Sequence, residues 1–100
     1  MKVTATNLKI GTTIERLRTE RDINQTEFAR KMNVSRSSIV NMEVGRQSMS
    51  IDKIIQAAII LDVEISEILP SKEWYAENKD KIFVRAYTLV EYKPEKGETK

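Results

Sequence analysis

The stretch from Ile23 to Gln47, INQTEFARKMNVSRSSIVNMEVGRQ, predicts two short helices joined by a tight turn. Asn24 can cap the first helix, and Glu27 three residues later completes a pair that resembles a capping box. Asn33 tolerates the left-handed backbone that a tight turn requires, and Ser35 can cap the second helix. Both helices therefore have a clear start signal.

Apolar residues in this stretch recur at the spacing of one helical face. Phe28, Ala29 and Met32 lie on one side of the first helix, where the small Ala29 lets a second helix cross closely. Ile39 and Met42 lie three residues apart in the second helix. Each helix is therefore expected to bury one side and to expose the other.

The exposed side of the second helix begins near its N-terminus, where the helix dipole favours negative charge. Polar side chains in this position could contact the edges of DNA bases, and the candidates are Arg36, Ser37, Ser38 and Asn41. Arg pairs with guanine and Asn with adenine through two hydrogen bonds each, so Arg36 and Asn41 are the main candidates. Serine hydroxyls bond several base edges or a phosphate and carry little sequence information. In an arbitrary helix, Arg36 and Asn41 would more often be ordinary exposed residues, but the surrounding pattern favours base contact.

The motif resembles the helix-turn-helix of phage repressors and Cro proteins. The matching residues are Gln25, Ala29, Val34, Ile39, Glu43 and Gly45. The resemblance covers roughly residues 7–69, and it implies a mainly α protein, a five-helix repressor-like bundle that binds double-stranded DNA. Glu64 departs from the pattern, because the family usually places Ser or Thr there to cap the last helix.

The resemblance also implies contacts to DNA phosphates. The candidate residues for these contacts are Gln25, Ser35, Arg46, Gln47 and Ser48. Gln25 lies at a helix N-terminus beside unpaired backbone N–H groups, and Arg46 adds a positive charge in the loop after the second helix. Ser35 also has its role as a cap, and a polar loop without a DNA role is the alternative for residues 46–48.

A different role is implied for Arg18 and Glu43. In the family, the corresponding residues join the first helix to the end of the second motif helix by a salt bridge. This pair is therefore expected to stabilise the fold and not to read DNA.

Hydrophobic periodicity extends the helical scaffold on both sides of the motif. Ile10, Ile14 and Leu17 predict a first helix from about residue 7 to residue 20. Ser50 can cap a fourth helix, whose apolar face is wide enough to need burial on more than one side. The motif helices would cover one side, and a partner chain is a candidate for another. A short fifth helix follows and stops before a proline.

Three segments are expected along the chain. Residues 1–6 would form a flexible arm, residues 7–70 the DNA-binding domain, and residues 71–100 an extension that makes the dimer and ends in disorder. The first part of this extension, SKEWYAENKDK, resembles a capped polar helix. The extension has no counterpart in the family resemblance.

The run from Ile82 to Tyr92, IFVRAYTLVEY, is rich in β-branched and aromatic residues and predicts a strand. A single strand needs a partner, and the expected partner is the same segment of a second subunit, paired antiparallel across a two-fold axis. The predicted dimer contacts are Ile82, Val84, Tyr87, Leu89 and Val90. Two alternatives stay open, a sixth helix in this segment and a dimer built from the fourth and fifth helices.

The net charge of +2 is too small to indicate nucleic-acid binding by itself, but its distribution is uneven. Residues 1–50 contain nine Lys and Arg against five Asp and Glu, whereas residues 51–100 contain eight against ten. The positive half contains the motif, and such a basic face would orient the protein on phosphate. A mixed solvated surface is an equally good interpretation of the counts alone.

The chain contains no Cys and no His. Disulfides and thiolate zinc sites are excluded, and the usual thiol and imidazole groups of enzymes are missing. The sequence also has no P-loop and no apolar run long enough to span a bilayer. A cytoplasmic protein is therefore expected, one that is not an enzyme and needs neither a cofactor nor a metal.

These observations favour a dimeric, sequence-specific transcription regulator of the repressor or controller type. One small module offers limited contact with DNA, so binding to two half-sites of a palindromic operator is expected. The alternative is an antitoxin, whose C-terminal segment binds a toxin while the motif autoregulates the operon. An anti-repressor is another candidate protein partner. A toxin-like neighbouring reading frame would favour the antitoxin.

Overall fold

The computed structural model describes residues 2–84 and 88–91, which form helices and strands in the following order. The elements are β1 (Lys2–Thr4), α1 (Ala5–Glu20), α2 (Gln25–Met32), α3 (Arg36–Glu43), α4 (Ile51–Leu61), α5 (Ile65–Ile68), α6 (Lys72–Asn78), β2 (Lys81–Val84) and β3 (Thr88–Glu91). The predicted mainly α fold, a five-helix bundle with a C-terminal extension, is confirmed. Over the described part of the chain, no helix has both the length and the apolar character needed to cross a membrane.

Local sequence decides where the helices begin. The side chains of Asn24, Ser35 and Ser50 each accept a hydrogen bond from the backbone N–H three residues later, at the starts of α2, α3 and α4. α5 begins differently, because the backbone N–H of Glu64 donates to Glu67 Oε2 at 3.1 Å. Glu67 of α5 itself therefore satisfies the backbone N–H of the residue at the N-cap position.

The turn between α2 and α3 depends on a left-handed residue. Asn33 has a φ angle of 57°, and the backbone N–H of Val34 donates to the Ala29 carbonyl at 3.0 Å. Asn is among the few residues other than Gly that adopt this conformation readily. The chain therefore reverses quickly enough for α3 to cross α2.

The bundle helices share one apolar core. The largest fully buried side chains are Phe28, Ile14, Met32, Ile39, Leu61 and Ile68. α4 contacts α1, α2 and α5, while α3 contacts α1 and α2. α3 therefore packs its inner side against two helices and leaves its outer side on the surface.

A close approach between α1 and α3 occurs at Gly11. A Cβ atom at this position would lie 2.6 Å from the carbonyl oxygen of Glu43 and 2.8 Å from its carbonyl carbon. Both are backbone atoms, which cannot move aside as the end of a flexible side chain can. The absence of a side chain at residue 11 therefore sets the distance between the two helices.

The C-terminal extension folds back on the bundle. α6 contacts α1, and Lys9 Nζ lies 5.9 Å from the centre of the Trp74 ring, within the range of a cation–π contact. β2 is the central strand of a three-stranded antiparallel sheet with the order β1-β2-β3. Across the first pair of strands, Lys2 faces Val84. The two ends of the described chain therefore meet in one sheet.

This sheet corrects two expectations about the chain ends. The single strand predicted from Ile82 to Tyr92 is instead two strands, and β2 finds its other partner in β1 of the same chain. The flexible arm expected over residues 1–6 instead contains β1 and the first residues of α1. A three-residue strand is too short to show alternation in the sequence. β2 therefore needs no second subunit for its pairing.

Candidate nucleic-acid interface

The outer side of α3 carries the four predicted base-contacting residues. Arg36 and Ser37 are exposed, while Ser38 and Asn41 are half-buried. On the inner side, Ile39 is only 1% exposed. α3 therefore presents a polar surface that begins at its N-terminus, where backbone N–H groups and the helix dipole favour phosphate.

Ser35 and Ser38 are hydrogen-bonded to each other. Ser35 Oγ accepts from the backbone N–H of Ser38 at 3.1 Å and donates to Ser38 Oγ at 3.1 Å. These bonds fix the first turn of α3 and make Ser35 a cap. Ser38 keeps its own hydroxyl hydrogen for another acceptor.

Arg36 is connected to the protein interior through Gln25. Arg36 Nη2 donates to Gln25 Oε1 at 3.0 Å, and Gln25 Nε2 donates to Glu43 Oε1 at 3.0 Å. A guanidinium can only donate and a carboxylate can only accept, so the amide between them satisfies both in one orientation only. We call these three side chains the relay. It holds the first side chain of α3 in a defined direction.

The relay ends in a buried ion pair. Arg18 Nε and Nη2 donate to the two carboxylate oxygens of Glu43 at 2.7 Å and 3.0 Å, and Arg18 Nη1 donates to the Ile23 carbonyl at 2.8 Å. Arg18 is 8% exposed and Glu43 is 3% exposed. The hydrogen bond to Glu43 raises the pKa of Arg18 above its ordinary value, and burial opposes this rise. The pair joins α1 to the end of α3.

Gln25 has partners that its position in the sequence did not reveal. Its position at the N-terminus of α2 and the family resemblance predicted a phosphate contact, but the structure engages both polar atoms of its amide inside the protein. The amide still has one N–H hydrogen and one oxygen lone pair that are not used by these bonds. Contact with Arg36 and contact with phosphate are therefore compatible.

The loop between α3 and α4 exposes Arg46, Gln47 and Ser48. The backbone N–H groups of Arg46 and Gln47 both donate to the Asn41 carbonyl, at 2.9 Å and 3.2 Å. These amides close the end of α3, so at Arg46 and Gln47 the side chains are the groups left for a ligand. Asn7, which the sequence did not single out, donates from Nδ2 to Ser48 Oγ at 3.1 Å.

The predicted dimer contacts lie within the sheet. Ile82 is half-buried and faces Val90 of β3. Val84 is the last residue of β2, and Leu89 belongs to β3, whereas Tyr87 lies outside the described residues. β2 is paired within the chain on both of its edges. Ile82 and Val84 therefore lie in a strand that is paired within the chain, whereas Leu89 and Val90 lie in the edge strand β3, and the dimer contacts stay a prediction.

Comparison with known proteins gives a family and several similar structures. A family profile described as Helix-turn-helix matches residues 14–68, more than half of the chain. No protein of curated function matches the sequence. The restriction-modification controller protein C.AhdI from Aeromonas hydrophila has a TM-score of 0.62 and 29% sequence identity, covering 65% of this chain and 98% of that chain.

Two further solved structures show the same arrangement of helices. SinR, a master regulator for biofilm formation solved in complex with DNA, has a TM-score of 0.54 and 29% identity, covering 57% of this chain and 92% of that chain. The DNA-binding domain of BldD has a TM-score of 0.61 at 16% identity, covering 67% of this chain and 97% of that chain, and shows the fold alone. The matched profile spans both motif helices and the helices packed around them, and the chain belongs to the XRE-type helix-turn-helix family of DNA-binding transcription regulators.

Proposed function

We propose that the chain is a sequence-specific repressor or controller that binds a partly palindromic operator as a dimer. The relay carries this proposal, because it anchors an exposed arginine at the start of α3 to a buried ion pair. A guanidinium positioned at the N-terminal end of a recognition helix suits a guanine in the major groove. No catalytic role is part of this proposal.

The two parts of the interface would make different kinds of contact. Arg36 and Asn41 would read base edges, with Ser37 and Ser38 beside them as less selective hydrogen-bonding groups. The α3–α4 loop would hold the DNA backbone through the side chains of residues 46–48, and Arg46 would supply the charge. Base contacts determine which sequence is preferred, whereas phosphate contacts set the affinity for all sequences.

Asn41→Ala is expected to weaken binding to the preferred operator by about 1 to 3 kcal/mol and to relax the preference at one base position. Arg46→Ala is expected to weaken binding to all sequences alike and to lower the salt slope by about one unit, since one phosphate contact is lost. Selection from a random DNA pool measures the base preference of each variant. Titration of labelled duplexes at several salt concentrations measures the affinity and the salt slope. Equal losses on preferred and random DNA would remove Asn41 from the base-contacting set.

The same titrations include Gln25→Ala as an internal comparison. If Gln25 contacts phosphate alone, its loss should add to the loss caused by Arg36→Ala. If it also positions Arg36 through the relay, the double variant should lose less affinity than the sum of the two single losses, because the effects of contacting residues are not additive. We expect the non-additive result from the 3.0 Å bond between the two side chains.

A dimer is proposed because one small module buries only about 600 to 1,000 Å² on DNA. α4 offers a surface for it, since Ile51, Ile55 and Ile59 occur at every fourth position and are 60%, 38% and 73% exposed. We call these three residues the isoleucine ridge. A continuous apolar row on a protein surface commonly marks a protein contact. The contacts predicted in β2 and β3 of the C-terminal extension stay as the alternative interface.

Ile59→Lys is expected to convert the dimer into a folded monomer and to remove most of the operator affinity, because the interface would have to bury an unpaired ammonium group. Sedimentation measures the mass, and circular dichroism verifies the fold. Tyr75→Lys is the matched control, since Tyr75 is a 48% exposed apolar residue on α6. A dimer that survives Ile59→Lys but is lost on removal of residues 72–100 would assign the interface to the C-terminal extension.

An antitoxin role has no separate support from the described residues. α6 contacts α1 and β2 pairs with β1, so these two parts of the segment expected to hold a toxin or an anti-repressor are folded on their own bundle. Co-expression with the product of the neighbouring reading frame tests this alternative. Co-purification that depends on α6 would revive it.

A further inference from the structure

The N-terminal strand lies against the loop that is proposed to hold DNA phosphates. Gly45 begins this loop with a φ angle of 80°, a conformation that favours glycine. A Cβ atom at Gly45 would lie 2.7 Å from Val3 Cγ1 and 2.9 Å from backbone atoms of Leu8. Val3 is 6% exposed. Its side chain is therefore packed directly on the backbone of Gly45.

The same strand is held from its other side by the C-terminal hairpin, which is formed by β2 and β3. Val3 faces Phe83 in the antiparallel pair of β1 and β2, and β2 pairs in turn with β3. A strand of three residues has little stability by itself. The position of β1, and with it the packing on Gly45, therefore depends on the hairpin.

We propose that the C-terminal hairpin positions the α3–α4 loop, residues 45–48, by holding β1 against Gly45. Val3 is then a positioning residue that acts on DNA through the loop. A loop that is ordered before binding loses less conformational entropy on contact with phosphate. The hairpin would therefore raise the affinity for all DNA sequences alike. This inference rests on the proposed function for the part that concerns DNA.

Val3→Ala in the full chain tests the inference with one measurement that needs no DNA. The amide hydrogens of Arg46 and Gln47, which bond to the Asn41 carbonyl, should exchange roughly tenfold faster, while the core amides of α4 keep their rates. Val63→Ala is the matched control, since Val63 is a partly buried valine that packs on the core between α4 and α5. It should leave exchange in the loop unchanged.

Titration of the same variants with DNA gives the second measurement. Val3→Ala should lower the affinity for the selected operator and for a random duplex by the same factor, roughly three- to tenfold. Val63→Ala should leave both affinities unchanged. A loss confined to the selected operator would overturn the inference, because it would place the effect of Val3 on base reading.

Ile82→Gly tests the part played by the hairpin, because it weakens β2 opposite Thr4 and leaves β1 and the loop unaltered in sequence. The expected result is the same faster exchange at Arg46 and Gln47. Unchanged exchange in both Val3→Ala and Ile82→Gly would overturn the inference, whatever happens to DNA binding. A wild-type protein that binds no duplex would overturn the proposed function instead, while the exchange rates would still decide whether the hairpin holds the loop.

Discussion

Glu43→Ala is expected to lower the free energy of unfolding by about 3 to 5 kcal/mol. The substitution leaves Arg18 charged and buried with only its bond to the Ile23 carbonyl, and it removes the acceptor of Gln25 Nε2. A small domain has a total stability of about 5 to 15 kcal/mol, so this one change would remove a large part of it. Chemical denaturation followed by circular dichroism measures the loss.

An exposed ion pair within α1, the helix that carries Arg18, provides the control for Glu43→Ala. Glu20 pairs with Arg16 at 3.2 Å, and both side chains are more than half exposed. Glu20→Ala should therefore cost about 0.5 kcal/mol or less. The double variant Arg18→Met with Glu43→Leu should recover much of the loss, since no unpaired charge is left buried. Similar small losses for Glu20→Ala and Glu43→Ala would contradict the role of the buried pair.

Gly11→Ala is expected to destabilise the protein by about 3 kcal/mol. In an ordinary helix interior, the same change stabilises by about 0.5 to 1 kcal/mol, so the prediction reverses the usual sign. The reason is steric, because the added carbon would lie 2.6 Å from the backbone oxygen of Glu43 and would push α1 away from α3. The same denaturation measurement gives the sign directly.

Thr12→Ala is the control for Gly11→Ala, because Thr12 is the next residue of α1 and is exposed. Replacing it should change the free energy of unfolding by no more than about 0.5 kcal/mol. If Gly11→Ala stabilises the protein as it would in an isolated helix, the close approach of α1 and α3 does not limit the fold.

The motif could be predicted from the sequence because its determinants are local. Asn24 and Ser35 each accept a hydrogen bond from the backbone N–H three residues later, so a few neighbouring residues are enough to predict where α2 and α3 begin. Gly11 gives no such signal. Glycine destabilises a helix interior, and only the close approach of α3 explains its presence in α1. β1 was missed for a related reason, because its partner lies at the other end of the chain.

The candidate site was predictable as a set of residues but not as a network. Arg36, Gln25 and Glu43 were each singled out, and each was given a separate role in base contact, phosphate contact or stability. The bonds that join them depend on how α2 crosses α3, which no local pattern reports. The position of Gln25 at a helix N-terminus predicted an external partner, whereas the structure supplies two internal ones.

The pairing of β1 with β2 joins residues 2 and 84, which has a consequence for the order of folding. Closing so long a stretch of chain costs entropy before any contact is gained, and such contacts form late. Helical contacts are largely local, so the bundle is expected to fold first and the sheet to close afterwards. On the ribosome, the motif helices would emerge before β2 is synthesised. The nascent chain would then already contain folded α2 and α3 while β1 still lacks its partner strand β2.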